Sequence, residues 1–355
     1  MATIIMADGG IAFDGRTAET VPLGGAEKAF VGLAEGLAAR GHRVVAYTMN
    51  AAPLAHRGVE WRPLAEGPPD DADLYVANRG DRLLPLVPRA RRRAFWIHNP
   101  AQYLRKWRFV AKLARWRPTI VFSGAYHAAT CPRWVPGPRL VIPHGVEEAF
   151  RQAGERPPPP PHAIFASNPL RGLDWLLELW AGRIRPALPA AQLHVFSGAA
   201  PYGAAGAAKA TAMAPVLERA AALAAAGVVL REPVPKARLA EELRRARILL
   251  YRGDPGETFC LAAAEAQASG LPAVVQDIGS LPERVRDRET GFVARDEDSF
   301  AAAAIALLGD DALWRRQHRA ALRLQRRRGW AEAATAWEAA FLPSAARQPA
   351  RSMRP

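Results

Sequence analysis

The sequence predicts an α/β protein of two Rossmann-like βα domains that face each other across a cleft. Three observations predict it. Short apolar runs alternate with helical patterns through residues 1–150, and the alternation restarts after residue 161. Between the two blocks stands "RQAGERPPPPP", residues 151–161, whose five consecutive prolines can neither continue a helix nor pair in a central strand. This segment therefore reads as a stiff, extended linker. A chain of 355 residues also exceeds the size at which a single core stops growing.

The elements follow in order. In residues 1–150, the strand "TIIMAD" leads through a loop to a helix over Ala26–Ala39, stopped by Gly41, and then to the strand "RVVAYT". Further strands are expected at "DLYVAN", "RAFWIHN", "TIVFSG" and "RLVIPHG", the spacing of a parallel sheet with helices on its faces. In residues 162–325 the strand "HAIFASN" precedes a helix over Leu173–Trp180. The strands "QLHVFSG" and "GVVLREPV" then lead to a helix over Lys236–Arg245 and the strand "RILLYRGD". A helix from about Thr258, the expected N-cap, to Ala268 is followed by "PAVVQD" and "GFVARD". The Ala-rich stretch 199–226 reads as a loop feeding a helix. From Glu297 to Phe341 the pattern is helical, with Trp314, Trp330 and Trp337 spaced to dock against the domains. Residues 326–355 read as a C-terminal helix and a tail that frays for want of anything to bury.

Composition narrows the function. A net charge of +14 and a pI near 10.7 favour anionic partners: nucleotides, phosphorylated acceptors, nucleic acid or acidic membrane. Cys131 and Cys260 are the only cysteines, too few for a disulfide framework and without metal-ligand spacing, which suits a reducing cytosol. The N-terminus lacks the basic-then-apolar order of a leader, and no apolar run reaches the ~18 residues of a membrane span. A cytoplasmic location is the expectation.

The stretch "ETFCLAAAE", residues 257–265, sets a carboxylate on either side of seven uncharged residues. Glu257 follows a strand and the turn at Asp254–Gly256, which places it at the C-terminal edge of a parallel sheet, where α/β proteins bind ligands. Glu265 would lie ~12 Å further along a helix and about 80° around it, so the pair reaches two parts of an extended ligand and is no acid/base dyad. Between them the free amides of Phe259, Cys260 and Leu261 at a helix start suit a diphosphate. Gly24 and Gly25, also ahead of a helix, let backbone close on phosphates or acceptor. His98 in "FWIHNP" ends a strand on the same cleft, with Asn99 as its neighbour.

"GETFCLAAAEAQASGLPAVVQDIGSLPERVRDRETGFVARD" resembles, nearly position by position, the nucleotide-sugar site of retaining GT-B glycosyltransferases of family 4, the group 1 glycosyl transferases. "LGGAEKAFVGLAEGLAARGHRVVAYT" is similar to that family's N-terminal glycine loop and first helix, "VIPHGVEEAF" to its interdomain strand, and "SNPLRGLDWLLELW" to the opening of its second domain. The likeness covers roughly residues 3–325.

The resemblance implies a GT-B fold, retention at the anomeric carbon, and catalysis without a metal or other cofactor. It implies that Glu257 contacts the donor sugar near the reacting carbon, that Glu265 holds the ribose, and that His98 approaches the sugar. The family carries an Arg and a Lys about five residues apart to clamp the diphosphate; here only Arg171 stands, at the Lys position, which leaves the second role to Ser167, Asn168 or a distant base. Cys260 replaces the family's usual glycine. The implied partners are a nucleotide-sugar donor and a glycan or glycolipid acceptor.

The segment "YLRKWRFVAKLARWRP", residues 103–118, mixes aromatic side chains with six basic ones, which suits an anionic membrane surface as well as it suits an ordinary helix with a basic face. A peripheral position at the inner membrane face follows from the first reading. Charge alone suggests nucleic acid, yet no recognisable module, aromatic RNA platform or zinc spacing supports it. An NAD-dependent oxidoreductase is disfavoured because no Gly-x-Gly-x-x-Gly follows the first strand. A nucleotide-sugar epimerase of the same shape remains the alternative within the resemblance.

Overall fold

A computed structural model describes residues 1–21, 23–198 and 208–342. Two separate sheets organise it. The first contains β1 (Thr3–Asp8), β2 (Arg43–Thr48), β3 (Leu54–His56), β4 (Val59–Pro63), β5 (Leu74–Asn78), β6 (Arg92–Trp96), β7 (Thr119–Phe122) and β8 (Arg139–Val141), in the order β3-β4-β2-β1-β5-β6-β7-β8. Every pairing is parallel except the β3–β4 hairpin. The second contains β9 (His162–Ala166), β10 (Gln192–Phe196), β11 (Val228–Arg231), β12 (Ile248–Tyr251), β13 (Ala273–Gln276) and β14 (Gly291–Ala294), all parallel, in the order β11-β10-β9-β12-β13-β14.

Alternation along β1 explains why it reads as an unbroken apolar run. Ile4 and Met6 enter one core and Ile5 and Ala7 another, because helices and loops cover both faces of the sheet. In each sheet the strand order reverses at the first strand, between β1 and β5 and between β9 and β12. These are the switch points where open parallel sheets leave a crevice at their carboxyl ends. The residues just past β1, β5, β9 and β12 therefore meet across one cleft.

Five helices matter for the site: α1 (Gly25–Ala39), α2 (Trp107–Trp116), α3 (Lys236–Arg245), α4 (Leu261–Ala268) and α5 (Trp330–Phe341). The expected helical stretch from Glu297 is in fact three helices, 297–309, 311–325 and α5, broken at Asp310 and Gly329. The Asp310 carboxylate accepts from the amides of Ala312 and Leu313, so it caps the second of these helices. The break redirects the chain: Trp314 is buried in the second domain's core, whereas Trp337 and Phe341 complete the first domain's. α5 packs on α1, where a β-carbon on Gly32 would fall 2.3 Å from the Trp330 ring. The helix over 311–325 and α5 thus pack on different domains and tie the two together.

Beyond Arg151, which ends a short helix, the Pro-rich segment forms no helix or strand, and it is not a free spacer. The carbonyls of Pro159 and Pro161 accept from Arg247 Nη1 (3.0 Å) and the Gln192 amide (3.1 Å), which lays the segment on the second domain. Residues 199–207 of the Ala-rich stretch and 343–355 of the tail lie outside the described residues; a helix does follow, over Ala210–Ala222. No described helix is long and apolar enough to cross a membrane.

Candidate functional site

The cleft between the two sheets encloses about 610 Å³ and draws its lining from both domains. On the first-domain side, β1 and β5 end in Asp8 and Asn78, both buried. Asn78 Nδ2 donates to Asp8 Oδ2 (2.5 Å), and Asn78 Oδ1 therefore turns to His98 Nε2 at 2.7 Å. That orientation makes Nε2 the protonated nitrogen of His98 and leaves Nδ1 as an acceptor. Burial, followed by the charges of His144, Arg79 and His127, pushes the His98 pKa well below the ordinary histidine value, so the ring is neutral. Arg79, in the left-handed region at φ 65°, anchors the same network by donating to Asp8 (2.6 Å) and Glu27 (2.7 Å).

Gly24 and Gly25 line the cleft at the start of α1, and a β-carbon on Gly25 would meet Leu261 Cδ1 of the other domain at 3.2 Å. Bare backbone is what permits this approach. Next to it Lys28 lines the cleft, close enough to Lys236 and Glu265 to feel their charges. Burial first, then Lys236, lowers the Lys28 pKa to about 7 against the opposing pull of Glu265 and Glu147.

On the second-domain side, Arg171 follows β9 and Glu257 follows β12, so the switch point brings them together. The Arg171 guanidinium pairs with the buried Glu257 carboxylate, and the Tyr251 hydroxyl donates to the same carboxylate. Burial alone would lower the Arg171 pKa; Glu257 reverses the sign and holds it above the usual arginine value. Burial and Glu257 together push the Tyr251 phenol well above its ordinary value, so it stays a donor. Ser167 Oγ lies 3.2 Å from that hydroxyl and also lines the cleft. Glu265, buried on α4, pairs with Lys236 on α3. Glu257 and Glu265 thus each carry their own cation, at two places along the cleft.

The start of α4 differs from the expectation. The helix begins at Leu261, not Thr258, because Thr258 turns its hydroxyl to the His98 carbonyl (2.5 Å) and so stitches the two domains instead of capping. Cys260 is the N-cap and adopts the left-handed region at φ 58°. This is the conformation glycine takes without strain, which accounts for a glycine at this place in the resembled family. Residues 257–260 precede the helix, so the helical rise on which the ~12 Å spacing of the two glutamates rested does not apply there. Phe259, Cys260, Leu261 and Ala262 all line the cleft, ahead of the first intrahelical bond, from the Ala264 amide to the Cys260 carbonyl.

Asn168 is not brought to the site. Its Oδ1 accepts from the Leu170 amide (2.9 Å), closing a local turn, and it is absent from the lining. Asn99 lines the cleft. Sequence reasoning passed over Asp8, Asn78, Arg79, Lys28, Tyr251, Lys236 and His144. A polar residue closing an apolar strand, the signal that singled out His98, was present for Asp8 and Asn78. His144 lines the cleft beside the rings of His98 and Phe259. No three His, Cys, Asp or Glu among the described residues are grouped so as to hold a metal ion.

This architecture has known counterparts. Residues 161–310 match the family described as glycosyl transferases group 1. The matched segment holds Arg171, Lys236, Glu257 and Glu265. The D-inositol 3-phosphate glycosyltransferase of Xylanimonas cellulosilytica is 37% identical over 126 residues, 35% of this chain and 30% of that protein. The chain spans under a third of the length of the curated relatives it matches. Sucrose-phosphate synthase from Thermosynechococcus elongatus superposes with a TM-score of 0.74 at 18% identity, covering 96% of this chain and 98% of its own. Anabaena HepE, in complex with UDP-glucose, superposes at 0.69 with 13% identity, covering 96% and 99%. The fold is GT-B, and the segment that matches the family model lies in its second domain.

Proposed function

We propose that the protein is a retaining glycosyltransferase that moves a hexosyl group from a nucleotide-sugar donor to an acceptor hydroxyl. The observation that carries this reading is the juxtaposition, across one GT-B cleft, of the α4 start, the Arg171–Glu257 pair and the neutral His98. The diphosphate lies against the amides of residues 259–262, where N–H groups without a backbone partner among the described residues and the positive end of the helix favour an anion. Arg171 has donors to spare beyond Glu257, and supplies the charge that stabilises the leaving phosphate. Of the candidates for the second clamp, the cleft geometry favours a distant base, Lys28, over Ser167 or Asn168.

Glu257 is a sugar-hydroxyl acceptor oriented by Arg171 and Tyr251, and Glu265, held by Lys236, receives the ribose hydroxyls. His98 Nδ1 accepts from a sugar hydroxyl, its tautomer set by Asn78. Attack occurs from the face the diphosphate leaves, and the departing phosphate oxygen takes the acceptor proton. Charge is handled by helix and arginine, so the reading has no metal in the step. Interdomain bonds from Ser123 Oγ to the Thr258 carbonyl (3.0 Å) and from the Tyr126 hydroxyl to the Pro255 carbonyl (2.8 Å) hold the lobes close around the donor and limit its hydrolysis.

The acceptor is a glycan or glycolipid, and the first domain meets an anionic membrane from the cytoplasmic side through α2. There Phe109 and Leu113 are buried while Trp107 is 79% exposed among arginines and lysines, an arrangement suited to interfacial insertion. The deciding experiment screens binding and turnover of UDP-, GDP- and ADP-sugars with and without acceptor. Donor consumption that needs an acceptor supports transfer. Consumption without acceptor and with a changed sugar would establish an epimerase, and binding of none of them would overturn the reading.

A further inference from the structure

A second cavity of about 270 Å³ lies on the second domain, between α3 and the sheet face formed by β9, β10 and β11. Its floor is a pair of imidazoles. His162 and His194, on adjacent parallel strands, stack with ring centroids 5.1 Å apart and planes 25° from parallel. Burial lowers the pKa of both, and for His194 the proximity of His162 and Arg231 adds to it against the opposing Glu242. Both rings are therefore neutral at pH 7. The Nε2 of His194 contacts Gln192 Oε1 at 3.0 Å.

The walls are cationic. Arg238, Glu242 and Arg245 stand at i, i+4 and i+7 of α3, on one face of that helix, and Arg231 closes the opposite side at the end of β11. Glu242 accepts from both Arg238 (2.6 Å) and Arg245 (3.3 Å), and Arg238 also reaches Glu241 outside the cavity. Arg231 meets no carboxylate among the described residues; its guanidinium lies 6.0 Å from the centroid of Phe196. Within the lining, three guanidinium groups face one carboxylate, and a guanidinium has five N–H donors, so several remain for a ligand. A cavity floored by polar rings and walled by planar cations is suited to a compact anion with several acceptor oxygens.

We propose that this cavity binds a small phosphate-bearing ligand, a phosphomonoester or inorganic phosphate, gripped by Arg231, Arg238 and Arg245 above the His162–His194 pair. Phe196 lines both this cavity and the cleft, so the occupant would bear on the wall of the larger site. The inference does not depend on what the cleft binds.

The test follows the His162 and His194 imidazole signals of the full chain by NMR, titrating with inorganic phosphate and separately with glycerol 3-phosphate at constant ionic strength. Saturable movement of both signals is expected, with the pKa of both rings raised, since a bound anion favours the imidazolium. Stronger binding of glycerol 3-phosphate identifies a phosphomonoester site, and equal or weaker binding a site for free phosphate. Arg231→Gln combined with Arg238→Gln should weaken the binding by about tenfold or more, as expected for lost charged hydrogen bonds. Arg171→Gln, in the cleft, should leave it intact. Signals that stay unmoved to tens of millimolar of either anion overturn the proposal in the wild-type protein alone. So does binding that Arg171→Gln abolishes and the double variant spares.

Discussion

Arg171 has two separable tasks, to satisfy Glu257 and to hold the diphosphate, and Arg171→Met tests both. Glu257 is buried and, among the described residues, keeps only the Tyr251 hydroxyl once the guanidinium is gone. Breaking a buried pair on one side costs about 3–5 kcal/mol, but the Arg171 side chain is 42% exposed, so solvent screening reduces the expected loss of stability to about 1–3 kcal/mol. The transfer step should slow by about 100-fold or more, the scale of a lost donor to developing charge, equivalent to about 2.7 kcal/mol. The assay pairs urea unfolding with donor turnover and with calorimetric affinity for the nucleoside diphosphate. Repeating it in a Glu257→Gln background separates the tasks. A neutral amide needs no counter-charge, so the stability cost of Arg171→Met should fall below about 1 kcal/mol there, while the loss of diphosphate affinity persists. Turnover of Arg171→Met within about threefold of wild type would refute the reasoning. So would a loss of affinity that vanishes in the Glu257→Gln background, because Arg171 would then act only as a support for Glu257.

Other outcomes follow from the same geometry. Lys28, with its pKa lowered to about 7 from the ordinary 10.5, should take up a proton when a diphosphate binds beside it. Affinity should therefore decline as pH rises from about 7 towards 10.5, and calorimetry in buffers of different ionisation enthalpy should register uptake that Lys28→Met abolishes. Without ligand the sign is opposite: the unfolded lysine holds its proton up to about 10.5, the folded one only to about 7, so this group makes stability rise with pH across that window. Asn78→Leu removes the bond that fixes His98 and should reduce transfer by about tenfold or more with the fold retained, measured against His98→Ala, and the two losses should not add. Cys260→Gly exchanges a strained φ for a lost buried thiol and should leave stability within about 1 kcal/mol, whereas Cys260→Val should destabilise clearly in thermal melts. Trp107→Ala together with Arg105→Gln and Arg108→Gln should weaken binding to anionic vesicles, and unchanged binding would remove α2 as the contact.

How much of this was legible beforehand depended on the kind of signal. Buried parallel strands announce themselves, because a strand covered on both faces is a continuous apolar run; "TIIMAD" and "RILLYRGD" needed nothing else. Strand-end positions carried His98 and Glu257 to the cleft because the carboxyl edge of a parallel sheet is where such residues must meet. The edge hairpin β3–β4 is not legible, since Leu54–His56 is three residues long, too short to show a pattern. Long-range pairing was invisible: nothing near Lys236 in the chain indicates that it pairs with Glu265, or that Lys28 lines the same cleft. Thr258 is a good N-cap by type, so the sequence starts α4 too early, and only tertiary structure reveals that its hydroxyl is spent on His98.

The measurement that bears most directly on the central claim is a crystal structure with a nucleoside diphosphate bound. The diphosphate oxygens should lie within about 3 Å of amide nitrogens of residues 259–262 and of Arg171 or Lys28, with the ribose on Glu265. A nucleotide bound outside the cleft, or a cleft nucleotide whose phosphates turn away from the start of α4, would contradict it.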